Sequence, residues 1–442
     1  MLVQPQYVPM DWILLIALLV LAYAGFAFTV HRLGLWKDHI TFYGPLMALK
    51  TERVEFFDRA IPLSPFLRVY GTLGVIMVVL VSVLMTVMLV FSIQHIVIQR
   101  PELTMANDPK NVLAIPGVND FIPFTFAVWF GLIITMVVHE FGHAILCRVE
   151  GIRVKSMGIL LAVIPIGAFV EPDEADQERS RGLAKMRMFG AGITNNIIAG
   201  LLCFALVVAL LGMAVPVNTP LVRGVYIDSP AYLAGMPPNS ILQEVNGIPV
   251  SNRADVSSAL DATLPGDTIA VLAENQGQVH EYSITLGAWP PELSDKTCGF
   301  MGVSYYDAPR IKEQFNLLAT PIGVIILLAI PIWTIMEPAT WSHFSLLTVD
   351  TVDAMMWQVP FDGFWLLVQI LFWCGWFNFV VGTFNALPLV PLDGGYILKE
   401  GMDRLLERRG LLHYSGYVVS AVSYAILAIL LAVIILPLLI NA

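Results

Sequence analysis

His139-Glu140-Phe141-Gly142-His143 stands inside an otherwise apolar run from about Phe121 to Cys147, and the rest of the chain is read outward from it. On a helix, H-E-x-x-H puts two imidazoles at i and i+4, one turn apart on one face, a spacing that suits one zinc ion. The carboxylate between them is placed to act as general base on water at the metal. The surroundings are those of a membrane span, where a Glu and two His are costly and mark function. The motif therefore points to hydrolysis inside a bilayer.

Composition points the same way. Of 442 residues, 57% are hydrophobic and 13% charged, against about 25% charged in a soluble domain. A formal net charge of −10 argues against nucleic acid as a partner. The cysteines Cys147, Cys203, Cys298 and Cys374 show no zinc-knuckle spacing and no disulfide framework, and read as small buried hydrophobes. The first apolar segment lacks a basic n-region and a small-residue cleavage site, so it is expected to be a retained span rather than a signal peptide.

A span needs about 20 apolar residues. The candidates are about Trp12–Val30, Val69–Ile93, Phe121–Cys147, Met188–Val215, Phe315–Met336, Trp365–Leu389 and Leu412–Ile440. Lys and Arg in the short loops set orientation. Arg32, Lys37, Lys50, Arg53, Arg59 and Arg68 follow the first span, and Arg148, Arg153, Lys155, Arg179, Arg181, Lys185 and Arg187 follow the third. With Lys399, Arg404, Arg408 and Arg409 these mark cytoplasmic segments. The N-terminus and the loop from Gln94 to Asp120 go outside. So do Pro216–Arg310 and Glu337–Asp362, which leaves Phe315–Met336 between two outside segments. Pro321 and Pro331 flank its apolar middle, so it is expected to be re-entrant or interfacial. The fold class is thus a polytopic α-helical membrane protein with about six transmembrane helices, a re-entrant or interfacial segment, and one inserted domain.

The insert has period-two strands punctuated by Asn246-Gly247, a hairpin signal. Ala254–Leu260 reads as a short helix, and Thr268–Leu272 and Val279–Thr285 as strands. The pattern from Gly224 through Ser229-Pro230-Ala231, Ala234-Gly235 and Ile241–Val250 resembles a PDZ domain in the circularly permuted order of bacterial protease modules. The resemblance implies an α+β domain able to bind a peptide or partner by strand addition. The alternative is a spacer that binds nothing. Four regions follow: 1–120 with two spans; 121–215 with H-E-x-x-H and a hairpin; 216–310, PDZ-like and extracytoplasmic; and 311–442.

Catalytic zinc takes three protein ligands and leaves a position for water. Asp393 in Asn385-Ala-Leu-Pro388-Leu-Val-Pro391-Leu-Asp393-Gly394-Gly395 is the candidate third ligand. It sits just before Lys399, and His139 lies nine residues before Arg148, roughly 14 Å of helix. Charge counting thus puts both motifs at one depth, toward the cytoplasmic side. Pro388 and Pro391 break the helix there, which membrane depth tolerates where backbone lines a wet cavity. Val154–Pro172 is too short to span and is broken by Pro165 and Gly167. It reads as a β-hairpin dipping into the membrane edge, with an edge free to pair with an unwound substrate.

H-E-F-G-H in one span and N-x-x-P-x-x-P-x-D-G-G in a later one, with a PDZ insert between, resemble the site-2 protease family of intramembrane zinc metalloproteases. The resemblance covers about Ile122 to Gly410. It implies one Zn2+ per chain held by His139, His143 and Asp393, with Glu140 as the base. It implies a transmembrane protein as substrate in regulated intramembrane proteolysis, inside the lipid bilayer. Ala191-Gly192-Ile193-Thr194-Asn195-Asn196 occupies the place of the family's A-G-P-x-x-N, with Ile193 for Pro, and points to Asn196 with Asn195 as rival. Asn385 matches the second characteristic Asn. Both amides are candidates for holding substrate or an oxyanion, against inter-helix hydrogen bonding. A prenyl-processing protease would need a downstream Glu-bearing motif, which is absent. A zinc-binding membrane scaffold or transporter docking through the PDZ domain is the reading from another class, but no repeat of the kind transporters show is present.

Overall fold

The computed structural model describes residues 12–36 and 39–441. The N-terminus, expected on the outer side, and Lys37 are not among those residues. In chain order the first half contains helices α1 (Trp12–Leu33), α2 (Ser64–Gln99), α3 (Phe126–Val149), α4 (Glu174–Arg179) and α5 (Leu183–Met213). It also holds strands β1 (Ile40–Tyr43), β2 (Leu46–Thr51), β3 (Val154–Ala162) and β4 (Ile164–Pro172). Then come β5 (Val215–Pro216), β6 (Leu221–Val225), α6 (Pro230–Leu233), β7 (Ser240–Val245), β8 (Ile248–Pro249) and α7 (Arg253–Asp261). They are followed by β9 (Thr268–Asn275), β10 (Gln278–Thr285), β11 (Val303–Tyr305) and α8 (Ala308–Leu317). The chain ends with α9 (Gly323–Met336), α10 (Pro338–Trp341), β12 (Trp357–Gln358), α11 (Phe364–Asn385), α12 (Asp393–Glu407) and α13 (Ser415–Ile440). The chain divides into a helical unit, with residues 12–207, 327–338 and 369–441, and a sheet unit of 208–326 and 339–368.

Among the described residues, α2, α3, α5, α11 and α13 are long and apolar enough to cross a bilayer. In lipid, helices associate by close packing rather than by the hydrophobic effect, so small residues gather where backbones meet. A Cβ on Gly131 of α3 would stand 2.9 Å from the α11 backbone at Trp373 and Cys374. One turn on, Asn378 of α11 donates to the Thr135 hydroxyl at 2.8 Å, both buried. Gly142 meets Ala191 of α5 in the same way. The rings of Phe204 and Phe379 stack at 5.3 Å.

Two readings of the sequence need correction. The segment expected as Phe315–Met336 is two pieces: Phe315 is buried on the amphipathic α8, and α9 begins only at Gly323. Pro331, expected as a break, lies inside α9. Fourteen residues of helix reach about 21 Å, short of a hydrocarbon core of about 30 Å. The Val154–Pro172 hairpin forms with its turn at Val163, in the left-handed region; Pro165 and Gly167 do not end β4 but sit where its pairing with β3 shifts register and skips Ile166. It is half of a four-stranded antiparallel sheet, β1-β2-β3-β4. Tyr23 of α1 fastens that sheet, donating to Pro45 O at 2.6 Å and lying 3.1 Å from Leu161 O.

The sheet unit has strand order β10-β9-β7-β6-β11, with β8 paired to β7. Asn246 and Gly247, both at positive φ, turn β7 into β8. Val222, Leu242, Val245, Val256, Val271 and Ile284 form its core. Asn252 and Asp255 build a capping box on α7. Outside the sheet, β5 pairs with β12, and Arg223 Nε lies 3.1 Å from the fully buried Asp353 carboxylate.

Candidate active site

Helix α3 starts cleanly because Thr125 caps it, accepting from Val128 N. Its motif then falls on the face turned toward α5 and α12. Between α11 and α12 the chain from Ala386 to Leu392 leaves the helix, and α12 opens on Asp393. A Cβ on Gly394 would strike the Ala386 and Leu387 carbonyls, and one on Gly395 the backbone of Leu389 and Val390. The two glycines therefore let the first turn of α12 fold flat onto the unwound segment, which carries Asp393 to the histidines.

His139 Nε2 lies 3.1 Å from Asp393 Oδ2, His143 Nε2 lies 3.3 Å from the same oxygen, and the two Nε2 atoms are 3.1 Å apart. Among the described residues these three side chains form a cluster whose donor atoms lie within 4.8 Å of one another. The rings meet edge to face, 4.7 Å between centroids. His143 Nδ1 is 2.8 Å from Met188 O. A carbonyl only accepts, so Nδ1 carries the proton there and Nε2 turns its lone pair inward.

The set fits a tetrahedral cation with an open position. It offers two imidazoles and a carboxylate, a donor set typical of catalytic zinc. Asp393 Oδ2 is buried without a hydrogen-bond donor, as an acceptor meant for a cation would be. A Cβ on Gly192 of α5 would come within 2.5 Å of His143 Nε2 and 2.8 Å of His139 Nε2. The missing side chain keeps that space clear.

Glu140, half-buried, borders a cavity of about 360 Å3 shared with Lys50 of β2, Met157 of β3, and Phe169 and Val170 of β4. The Val170 backbone N–H faces its carboxylate. Asn195 is engaged: its Oδ1 accepts from the Tyr70 hydroxyl at 2.6 Å, and its Nδ2 donates to Val138 O at 3.3 Å. Asn196 is fully buried and neither amide atom has a partner. Asn385, half-buried, is the last residue of α11. The parts that Met188 and Gly192 play beside the histidines escaped the sequence reading, one acting through a backbone carbonyl and the other through a missing side chain.

Known proteins give this arrangement a context. The model of Peptidase family M50 matches residues 126–431, well over half of the chain and including both motifs. An uncharacterized protein of Methanocaldococcus jannaschii is 24% identical over 66% of this chain, which spans 60% of that relative's length. A provisionally named zinc metalloprotease of Mesorhizobium japonicum is 24% identical over 65% of this chain and 89% of its own. Zinc metalloprotease RasP of Oceanobacillus iheyensis is 21% identical over 54% of this chain and 57% of its own.

Proposed function

This chain belongs to peptidase family M50, and on that premise we propose that it is an intramembrane zinc endopeptidase cleaving transmembrane segments of membrane-tethered proteins. The observation that carries the reading is the convergence of His139, His143 and Asp393 donor atoms from two distant motifs. These three residues would hold the metal. When bound, zinc supplies Lewis acidity, which polarises a carbonyl and makes water a better nucleophile near neutral pH. Glu140, adjacent to His139 and open to the cavity, takes the proton from the attacking water and returns it to the leaving amine. Asn196 and Asn385 are assigned to the substrate backbone or its oxyanion; the unpartnered amide of Asn196 supports its choice over Asn195.

A helical substrate hides its peptide bonds and must be drawn out as a strand. One side of β3 is taken by β2, so the edge that supports strand addition is that of β4, whose Phe169 and Val170 border the Glu140 cavity. The apolar helices and the family make this an integral membrane protein. The distribution of Lys and Arg supports a site toward the cytoplasmic side and an extracytoplasmic PDZ-like insert. There the insert serves as a size filter, so that cleavage follows a first cut elsewhere, as regulated intramembrane proteolysis requires.

The test measures zinc content and cleavage of a model transmembrane segment in detergent. Wild type should hold about one zinc and cleave. Glu140→Gln should keep the zinc and lose cleavage, and Asn196→Ala and Asn385→Ala should keep the zinc and turn over about a hundredfold more slowly. Zinc bound equally by wild type and Glu140→Gln, with neither cleaving any helix tried, would reopen the scaffold or transporter reading.

A further inference from the structure

The third ligand arrives on α12, and what holds α12 in register with the histidines lies outside the motifs. Asp393 is its first residue and Glu400 stands two turns later on nearly the same face. Glu400 is buried to 8% exposure, unusual for a carboxylate. Its Oε1 accepts from the Gly182 backbone N–H, and its Oε2 lies 3.7 Å from Lys185 Nζ. Gly182, at φ +64°, is the residue before α5, and its carbonyl accepts the first helical bond, from Met186 N. Glu400 therefore caps a helix that is not its own, placing a negative charge at the positive end of α5.

Helix α5 is the element that shapes the metal site from the other side. Met188, six residues after Gly182, orients His143 through its carbonyl, and Gly192 leaves room for both imidazoles. Between cap and site, Phe189 of α5 stacks on Tyr396 of α12, centroids 4.7 Å apart and planes 13° from parallel. Two clamps thus join α5 to α12, and the position of Asp393 relative to His143 is set through them. Metal sites lose affinity when a ligand's supporting contacts are removed, typically ten- to a hundredfold.

We propose that Glu400 is a positioning residue for the metal site: by accepting from the Gly182 N–H at the start of α5 it sets where Asp393 meets His139 and His143. This rests on the zinc-site reading above, and the experiment keeps the two apart. Zinc affinity of the full chain in detergent is measured by chelator competition, and the ligand geometry by the visible spectrum of the cobalt-substituted protein. Glu400→Ala should bind zinc about tenfold more weakly with a shifted cobalt spectrum. Glu400→Gln, whose amide oxygen still accepts from Gly182 N–H, should recover most of the affinity and the wild-type spectrum. Wild-type affinity and spectrum in Glu400→Ala would overturn the proposal, as would equal losses in both variants. Asp393→Asn serves as the separate arm. If it too leaves zinc binding unchanged, the zinc-site reading is what has failed.

Discussion

A Cβ at position 192 would enter the space into which His139 and His143 turn their Nε2 atoms. Alanine favours a helix over glycine by roughly 1 kcal/mol, so Gly192→Ala should leave α5 at least as stable while crowding the metal. The expected outcome is zinc affinity lowered at least tenfold with unchanged helix content, read by chelator competition and circular dichroism. Wild-type affinity in that variant would mean that the imidazoles tolerate the methyl group and that Gly192 serves helix packing alone. The same residue shows where reading a sequence stops. His139, Glu140 and His143 stood out as candidates because one helical spacing carries them, and Asp393 because charge counting placed it at the same expected depth; the structure brings His139, His143 and Asp393 together. Met188 contributes a backbone carbonyl, Gly192 an absence, and Glu400 a carboxylate that sits beside Lys399 and looks like an ordinary charged surface. Neither Met188 nor Glu400 leaves a trace in residue type, and Gly192, visible as part of the Ala191-Gly192 motif, does not reveal what its missing side chain makes room for.

Among elements, the long apolar helices were legible within a few residues at their ends, because an unbroken apolar run of about 20 residues suits a bilayer and little else. The β1-β2 hairpin was not. Ile40–Thr51 lies in a segment read only for its basic residues, and its strands have only four and six residues, too short for a period-two pattern to stand out. Helix termini were equally invisible where a distant side chain completes them. Lys312 of α8 donates to Leu211 O at 2.6 Å, Gly212 O at 3.0 Å and Ala214 O at 2.8 Å, closing the carbonyl end of α5. Lys312→Met keeps the apolar stem and removes the donors. It should destabilise the protein by about 1–3 kcal/mol, since carbonyls left without partners cost that much each time burial denies them water. Thermal unfolding in detergent measures it, and a melting temperature equal to wild type would show that water or lipid headgroups replace the lysine.

At the scale of the molecule, the insert enters and leaves the chain at one point. Leu221 O accepts from Tyr306 N at 3.1 Å, so the ends of β6 and β11 are neighbours. Excising Val222–Tyr305 removes the whole five-strand path with β8, and a short Gly-Ser linker closes the gap. The β5–β12 pair and the Trp357 Nε1 bond to the Tyr306 hydroxyl remain. One change must accompany the excision. Burial raises the Asp353 carboxyl above its ordinary pKa, and the larger opposing pull comes from Arg223, which the excision deletes, leaving only the weaker one of Thr351. An unpaired buried carboxylate is strongly destabilising, so the shortened chain also carries Asp353→Asn. Two substrates then decide whether the insert is a filter: one membrane-tethered protein with its folded outer domain intact, and the same protein already trimmed. The shortened enzyme should cut both at comparable rates, where the full chain cuts only the trimmed one. If it still refuses the intact substrate while cutting the trimmed one, selection is made elsewhere. If it cuts neither, the insert is needed for catalysis itself, and the filter reading falls for a different reason.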